Sequence, residues 1–567
     1  MVAVDVNVHS EVPGCDRSLI QLLSRRLLIA ALAFGIAGAA GTVTAPALEA
    51  TTIPAASMSV SNSDLSEERT AMTDTDTDTG NVQEEAEAKP PKNRWKRIWG
   101  WVLVIAYVLG FISAIDAIMS SRTEPGAIAW SFALVTVPVV SVPAYWVLGR
   151  SKFEGYVEAF EKTGEEFEQR VARVRANMAS SAVEFETRTP GFDALRGLAN
   201  MMLTRGNDAE LLINGEETFD SIIEGIGQAQ EYVLVQFFIV HDDGLGRRLK
   251  DAMIERARAG VMVAFLYDEL GTNITRQYRK DLRDAGVKVS PFGTRQGLRN
   301  KFQLNFRNHR KIVVVDGKTA WVGGHNVGDE YLGHDPDMTP WRDTHVKLQG
   351  PIAIQTQGVF AMDWYWAKRE FLDVNWEPYT APDSADKMGI IMATGPADPL
   401  ETAGMFFVHA LNSARDRIWI TAPYFVPDDA IVKALMLASL RGVDVRVLVP
   451  GIVDKWLADR AMYHYMELLA DSNVKFYMHR PGFLHQKVMV VDDAIASIGT
   501  HNFDNRSFRL NFEVSAVVYD EEFTTEVAAM LERDMATSEL LDPTTFKDRS
   551  WLWRFSVNFA RLWAPVL

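Results

Sequence analysis

Asn308-His309-Arg310-Lys311-Ile312-Val313-Val314-Val315-Asp316 and Leu484-His485-Gln486-Lys487-Val488-Met489-Val490-Val491-Asp492 are two copies of one pattern. In each copy a glycine stands 14 residues after the histidine (Gly323, Gly499) and an asparagine 17 after it (Asn326, Asn502). The surroundings repeat as well. Arg417-Ile-Trp-Ile-Thr-Ala-Pro-Tyr-Phe-Val-Pro-Asp-Asp429 echoes Tyr232 to Asp243, and Arg441-Gly442-Val443 echoes Ala259-Gly260-Val261. Two copies are too few for a stacked array, so the pattern reads as a duplicated half-domain.

Within each copy, strand and helix patterns alternate. Tyr232 to Phe238 is a short apolar, β-branched and aromatic run suited to a buried strand, a helix is expected from about Gly246 to Ala259, and Val261 to Tyr267 reads as the next strand. This predicts an α/β fold with a mostly parallel sheet. On a strand, His309 and Lys311 are two apart and leave the same face, as do His485 and Lys487. Facing the two copies puts two imidazoles and two ammonium groups in one pocket suited to a phosphodiester. One histidine attacks phosphorus and the other protonates the leaving oxygen. The lysines, with Asn326 and Asn502, are expected to hold the phosphate oxygens. Nothing in this chemistry calls for a cofactor or a metal.

The chain has 567 residues, 58 Lys+Arg against 74 Asp+Glu, a net charge of -16, and one cysteine, Cys15. A single cysteine excludes an intramolecular disulfide framework and cysteine-cluster zinc sites. The acidity argues against a nucleic-acid partner. It is unevenly spread, however: Thr51 to Pro90 holds nine acids and two bases, so 2 - 9 = -7 sits in one segment nearly free of large apolar residues. Such a segment reads as a disordered linker. Before it, Arg25-Arg26, the apolar run Leu27 to Gly41 and Ala45-Pro46-Ala47 have the outline of a secretory signal, or of a poorly ordered extension.

The mean hydropathy of -0.05 hides two apolar runs. Ile98 to Ile115 and Gly126 to Gly149 carry no charged residue, and each is long enough to span a bilayer. Trp95, Trp99, Trp101, Tyr145 and Trp146 sit like interfacial belts. Lys92, Arg94, Lys96 and Arg97 before the first run, with Arg150 and Lys152 after the second, predict a hairpin whose two ends and C-terminal bulk face the cytoplasm.

With these motifs the chain resembles the phospholipase D superfamily, and within it the bacterial cardiolipin synthases, over roughly Trp95 to Leu567. The segments carrying the resemblance are Gly323-Gly-His-Asn326-Val-Gly-Asp-Glu-Tyr331, Trp341-Arg-Asp-Thr-His-Val-Lys-Leu-Gln-Gly350, Gly499-Thr-His-Asn-Phe-Asp-Asn-Arg-Ser-Phe508 and Asn511-Phe-Glu513. The resemblance implies duplicated α/β/α sandwich halves behind a two-helix transmembrane hairpin in the bacterial inner membrane. It implies metal-independent transfer of a phosphatidyl group through a phosphohistidine, from one phosphatidylglycerol to another, giving cardiolipin and glycerol. The alternative within the superfamily is hydrolysis of a phospholipid to phosphatidic acid. By resemblance His309 is the nucleophile and His485 the acid and then base, an order the symmetric sequence does not decide. Glu513 is expected to orient His485, and Asp343 to serve His309 at a longer offset (34 residues against 28). Asp316 and Asp492 complete the catalytic pattern, as anchors for the turns and lysines.

The expected organisation is a signal-like or disordered extension (1–50), acidic linker (51–94), membrane hairpin (95–150), helical connector (151–195), first half (196–380), second half (381–545) and an aromatic amphipathic tail (546–567). The sequence is silent on oligomeric state. His325 and His501, just before the two asparagines, read as supporting or incidental groups. His334-Asp-Pro-Asp337 reads as a solvated loop, and Phe237-Phe238 and Tyr424-Phe425 as core. The tail, with Trp551, Trp553, Phe555, Phe559 and Trp563, is either an interfacial membrane helix or a strap on the domain.

Overall fold

A computed structural model describes residues 93–567 apart from 122, 150–152, 162–163, 184–196, 199–200, 295–304 and 382–384. The signal-like segment and nearly all of the acidic linker lie outside the described residues. A helix of 28 residues runs from Asn93 to Ser120. Its stretch Trp95–Ser120, with mean hydropathy 2.3, is the one helix among the described residues long and apolar enough by itself to cross a membrane.

The second apolar run is not one helix. It divides into Glu124–Thr136, Pro138–Ala144 and a π-helical turn, Tyr145–Gly149. Pro138 explains the break: a proline has no N–H to donate and pushes the residue before it out of the helical region, and Val137 sits at φ -133°, ψ 58°. The Ser141 hydroxyl reaches the carbonyls of Ala133 and Val137 across the interruption, both at 2.8 Å. The two runs approach closely at Gly110, where a Cβ would lie 2.4 Å from the Leu134 carbonyl oxygen. Tyr145 donates to Asp116 at 2.8 Å and the Trp146 indole to Ser113 at 3.1 Å.

Beyond the connector helices Glu154–Glu161 and Glu165–Met178, the repeat becomes visible as a sheet whose two halves share one strand order, with Ser538–Leu540 added antiparallel at the edge of the second. In the first half the strand order is Lys288–Pro291, Met262–Tyr267, Tyr232–Phe237, Ile312–Val315, Thr319–Gly323, Thr344–Gln349, Thr204–Ile213. In the second it is Lys475–His479, Asp444–Pro450, Arg417–Thr421, Val488–Val491, Ile495–Gly499, Asn511–Tyr519, Lys387–Thr394. The halves meet where Thr204–Ile213 pairs antiparallel with Lys387–Thr394. Helices such as Pro351–Lys368 and Glu521–Ala536 bury their apolar sides against the sheet.

The sheet is less parallel than the alternating pattern suggests. Only the outer three strands of each order above run parallel; the pairings from there to the seam are antiparallel. One of these pairings in each half is set by the tight turn at Asp316-Gly317, and its counterpart at Asp492-Asp493. A connection that short can join only antiparallel neighbours. Asp316 and Gly317 have φ of 51° and 66°, and Asp492 has 51°.

Both aspartates work through the backbone. The Asp316 carboxylate accepts from the N–H groups of Gln230, Glu231 and Tyr232 at 2.8–2.9 Å, and Asp492 from those of Arg415, Asp416 and Arg417 at 2.8–3.1 Å. They stitch the turn to the start of the central strand. Replacing Asp316 with alanine strands these donors, at a cost of about 1–3 kcal/mol. We therefore expect Asp316→Ala to lower the unfolding midpoint measured by thermal shift in detergent, with kcat of the folded enzyme little changed.

Candidate active site

Each histidine is carried on a short strand that pairs with the opposite half. Arg307–Asn308 runs parallel to the start of Asn511–Tyr519, and the His309 N–H donates to the Phe512 carbonyl at 2.9 Å. Phe483–Leu484 runs parallel to Trp341–Arg342, and the His485 N–H donates to the Arg342 carbonyl at 2.8 Å. One residue past each acceptor stands a carboxylate. His309 Nδ1 lies 2.8 Å from Glu513 Oε2, and His485 Nδ1 lies 2.7 Å from Asp343 Oδ2.

This corrects the assignment expected from sequence offsets, which paired each histidine with a carboxylate of its own half. The pairing is crossed. The reason is the strand exchange: a histidine hydrogen-bonded to residue n of the other half brings its ring to the side chain of residue n+1. A carboxylate on Nδ1 sets the tautomer and turns Nε2 to the substrate side.

The lysines emerge on the same face as their histidines. Lys311 is fully buried and donates to the His309 carbonyl at 2.7 Å; Lys487 donates likewise to the His485 carbonyl. Neither is held by Asp316 or Asp492, so that part of the expected anchoring is not met. Burial pushes the Lys311 ammonium down to about 7 and Lys487 to about 8, with Glu513 and Asp343 pulling the other way. Burial, then the ammonium of Lys487, pushes His485 to about 3. Burial, followed by Lys311, Lys487 and Lys455, holds His309 well below the usual imidazole range. Each lysine acts on both imidazoles, so the four groups share one pocket.

The two asparagines are bonded differently. Asn326 Oδ1 accepts from the Ile239 N–H at 3.2 Å and its amide donates to the Tyr331 hydroxyl at 3.0 Å. Asn502 Oδ1 is buried with no hydrogen-bond partner among the described residues. Aromatic rings border the imidazoles: Phe238 is 4.9 Å from His309, and Trp341 is 5.3 Å from His485. Phe238 therefore lines the site, whereas Phe237 and Phe425 are core and Tyr424 donates to Asp454 at 2.6 Å.

Sequence reasoning missed the scaffold behind the pocket. The residue between His and Lys faces the other side of its strand and is pinned to an aspartate on a long helix. Arg310 bonds Asp363 at 2.6 Å, the Glu513 carbonyl at 3.0 Å and the Thr394 carbonyl at 3.0 Å. Asp363 also accepts from Gln236, Asn308 and Tyr156. In the second half Gln486 and Arg342 both bond Asp534, at 2.8 and 2.9 Å. An arginine placed amid a buried apolar strand was the available signal, since such a charge needs a partner. His325 packs behind Asp343 with His345, their Nδ1 atoms 3.0 Å apart, and His501 is held by Thr394 and Ser515, each at 2.8 Å. His334 to Asp337 is a turn closed by Asp337 N–H on Asp335 at 2.9 Å.

A family model described as "Cardiolipin synthase, PLD-like domain" matches residues 222–364 and 407–535, which contain His309 with Asp343 and His485 with Glu513. A second, "Phospholipase_D-nuclease N-terminal", matches residues 108–150. Cardiolipin synthase A of Pseudomonas fluorescens is 42% identical over 477 residues, 83% of this chain and 98% of that protein. The same-named protein of Pseudomonas aeruginosa is 44% identical over 475 residues, 82% of this chain and 96% of its own length. The chain belongs to the cardiolipin synthase family. Among solved structures, phosphatidylserine synthase of Haemophilus influenzae aligns over 67% of this chain and 100% of its own, at 15% identity and a TM-score of 0.49.

In this cardiolipin synthase family member the carboxylates need room as well as partners. A Cβ on Gly324 would stand 2.0 Å from Asp343 Oδ1. Gly324→Ala should displace the carboxylate that holds His485 and lower kcat by about 10²-fold, within the range general acid–base groups contribute, with little change in KM. A second expectation follows from the crossed pairs. Glu513→Gln and His309→Ala should be strongly non-additive in kcat/KM, whereas Asp343→Asn should couple to His485→Ala, as a double-mutant cycle would read.

Proposed function

We propose that this phosphatidyltransferase carries a phosphatidyl group from one phosphatidylglycerol to another through a phosphohistidine on His309. His309 Nε2 attacks the phosphorus of the first lipid, the bond to the terminal glycerol oxygen breaks, and His485 supplies the proton that releases glycerol. His485 then takes the proton from the hydroxyl of the second phosphatidylglycerol, whose oxygen displaces His309 and forms cardiolipin. Lys311 and Lys487, with Asn326 and Asn502, hold the non-bridging oxygens, and Glu513 and Asp343 orient the two imidazoles. The observation that carries this reading is the pair of crossed carboxylate–histidine contacts, 2.8 and 2.7 Å, flanking two buried lysines. The low proton affinity of His309 suits a nucleophile, and a bound phosphodiester anion raises that of His485 toward what an acid needs.

Purified full-length protein in phosphatidylglycerol vesicles, without added metal, is expected to yield cardiolipin and glycerol in equal amounts by mass spectrometry. Phosphatidic acid as the main product would make the enzyme a hydrolase instead. His309→Ala should lose at least about 10³-fold in kcat, and acid quench of the active enzyme should trap phosphate on a histidine.

The buried lysines set a pH dependence. Their proton affinities are lowered, so they are charged below about 7 to 8 and neutral above. Substrate capture by the free enzyme should therefore weaken as pH rises through that window, seen as a fall in kcat/KM. Lys311→Arg, which keeps its charge, should move the limb to higher pH.

Both apolar runs are proposed to enter the membrane as a hairpin with its ends on the cytoplasmic side. The basic flanks and the Tyr145–Asp116 and Trp146–Ser113 contacts support this. A cysteine introduced at Glu124, in the connecting turn, should be labelled by an impermeant maleimide from the outer face of spheroplasts; labelling only after lysis would reverse the arrangement.

A further inference from the structure

The C-terminal helix Trp551–Arg561 divides into three sectors rather than two. At about 100° per residue, Trp553, Val557 and Ala560 share one side. That side is docked on the helix Trp456–Ala470 and on Phe546; Val557 and Ala560 are buried, and the Trp553 ring is 5.4 Å from Tyr463 and 5.9 Å from Phe546. Arg554, Asn558 and Arg561 form a second, polar sector. The remaining sector, about 120° wide, is apolar and uncovered. Trp551, Leu552, Phe555 and, one residue past the helix, Leu562 are 72%, 69%, 56% and 75% exposed. Their aromatic rings stack along the helix, Trp551 on Phe555 at 5.6 Å and Phe555 on Phe559 at 6.3 Å. A strap that only closed the domain would need a single apolar side.

Two observations say what covers this sector. The first is position. Leu567 accepts from the Arg506 N–H at 2.8 Å, and the Arg506 guanidinium grips Asn305 at 2.6 and 3.0 Å. The neighbouring Phe306 ring is 5.2 Å from Phe153, four residues beyond the end of the apolar run at Gly149. The tail is thus tied by a short chain of contacts to the segment where the polypeptide leaves its membrane-side helices. The helix it packs on begins at Trp456, itself exposed, beside Lys455, whose charge reaches His309. The second is charge. Arg554 and Arg561 stand exposed in the polar sector beside the apolar one, which suits an anionic lipid surface; a second copy would bring the same arginines together.

We propose that the uncovered sector of Trp551–Arg561 lies in the headgroup–acyl boundary of an anionic phospholipid bilayer. This second contact, besides the anchor helix, turns the catalytic mouth toward the membrane. It rests on the reading that Asn93–Ser120 is a membrane anchor, and the test separates the two. Full-length protein with Cys15→Ser is reconstituted in vesicles of 30% phosphatidylglycerol and 70% phosphatidylcholine, with single nitroxide labels at Leu552→Cys, Phe555→Cys, Asn558→Cys and Ile105→Cys. Labels at 552 and 555 should be shielded from a water-soluble nickel relaxant and accessible to oxygen, the label at 558 the reverse, and the label at 105 the most deeply shielded. Shielding at 105 with nickel access at 552 and 555 would overturn the tail contact and leave the anchor standing; nickel access at all four would remove both. Spin–spin broadening at 555 that survives high lipid dilution would mean that a second copy covers the sector, and would also overturn the proposal. As an independent readout, the triple variant Trp551→Ser, Phe555→Ser, Phe559→Ser should keep its unfolding midpoint in detergent while its apparent KM on lipid-dilute vesicles rises about tenfold; an unchanged KM would count against the contact.

Discussion

The exchange of two short strands between the halves governs the site. Because Arg307–Asn308 pairs with Asn511–Phe512, and Phe483–Leu484 with Trp341–Arg342, each imidazole is positioned by backbone of the other half and oriented by its carboxylate. Neither half by itself holds a complete histidine–carboxylate pair. The seam between Thr204–Ile213 and Lys387–Thr394 supplies the rigid frame that keeps these partners within hydrogen-bond distance. A duplication thereby becomes a single catalytic unit instead of two weak ones.

Burial then determines the electrostatics. Two lysines and two carboxylates share a space from which water is largely excluded, and the carboxylates are occupied by the histidines. The ammonium groups are left to face an incoming phosphate with little screening. Their lowered proton affinity is the cost of that placement. The arginine and glutamine between each His and Lys, tied to Asp363 and Asp534, brace the strands from behind. Positioning of this kind is what the proposed two-step displacement needs, with one imidazole addressing phosphorus and the other the leaving oxygen on the opposite side.

The membrane side follows a similar economy. One helix is long and apolar enough to cross a membrane, the proline-broken run packs on it, and Phe153 belongs to the aromatic cluster under the catalytic strand. The docked tail ends against the same region through Arg506. A lipid transferase gains from such contacts because its substrates present their headgroups only at a surface.

Much of this was legible in the residues themselves. The repeated His-x-Lys pattern with its glycine and asparagine at matching offsets announced the duplication, the phosphodiester chemistry and the residues that converge on it. The first apolar run announced a helix long and apolar enough to cross a membrane. The sheet is less parallel than the alternation of helix and strand implies, because each half joins its repeat strand to the next by a tight turn, at Asp316-Gly317 and Asp492-Asp493. Offsets along the chain also assigned each carboxylate to the wrong histidine. Sequence by itself determined which side chains meet at the candidate site, since identity and same-face spacing are local properties. Only the tertiary structure decided who orients whom, because strand pairing between distant segments is a matter of register across space, and no spacing along one chain records it.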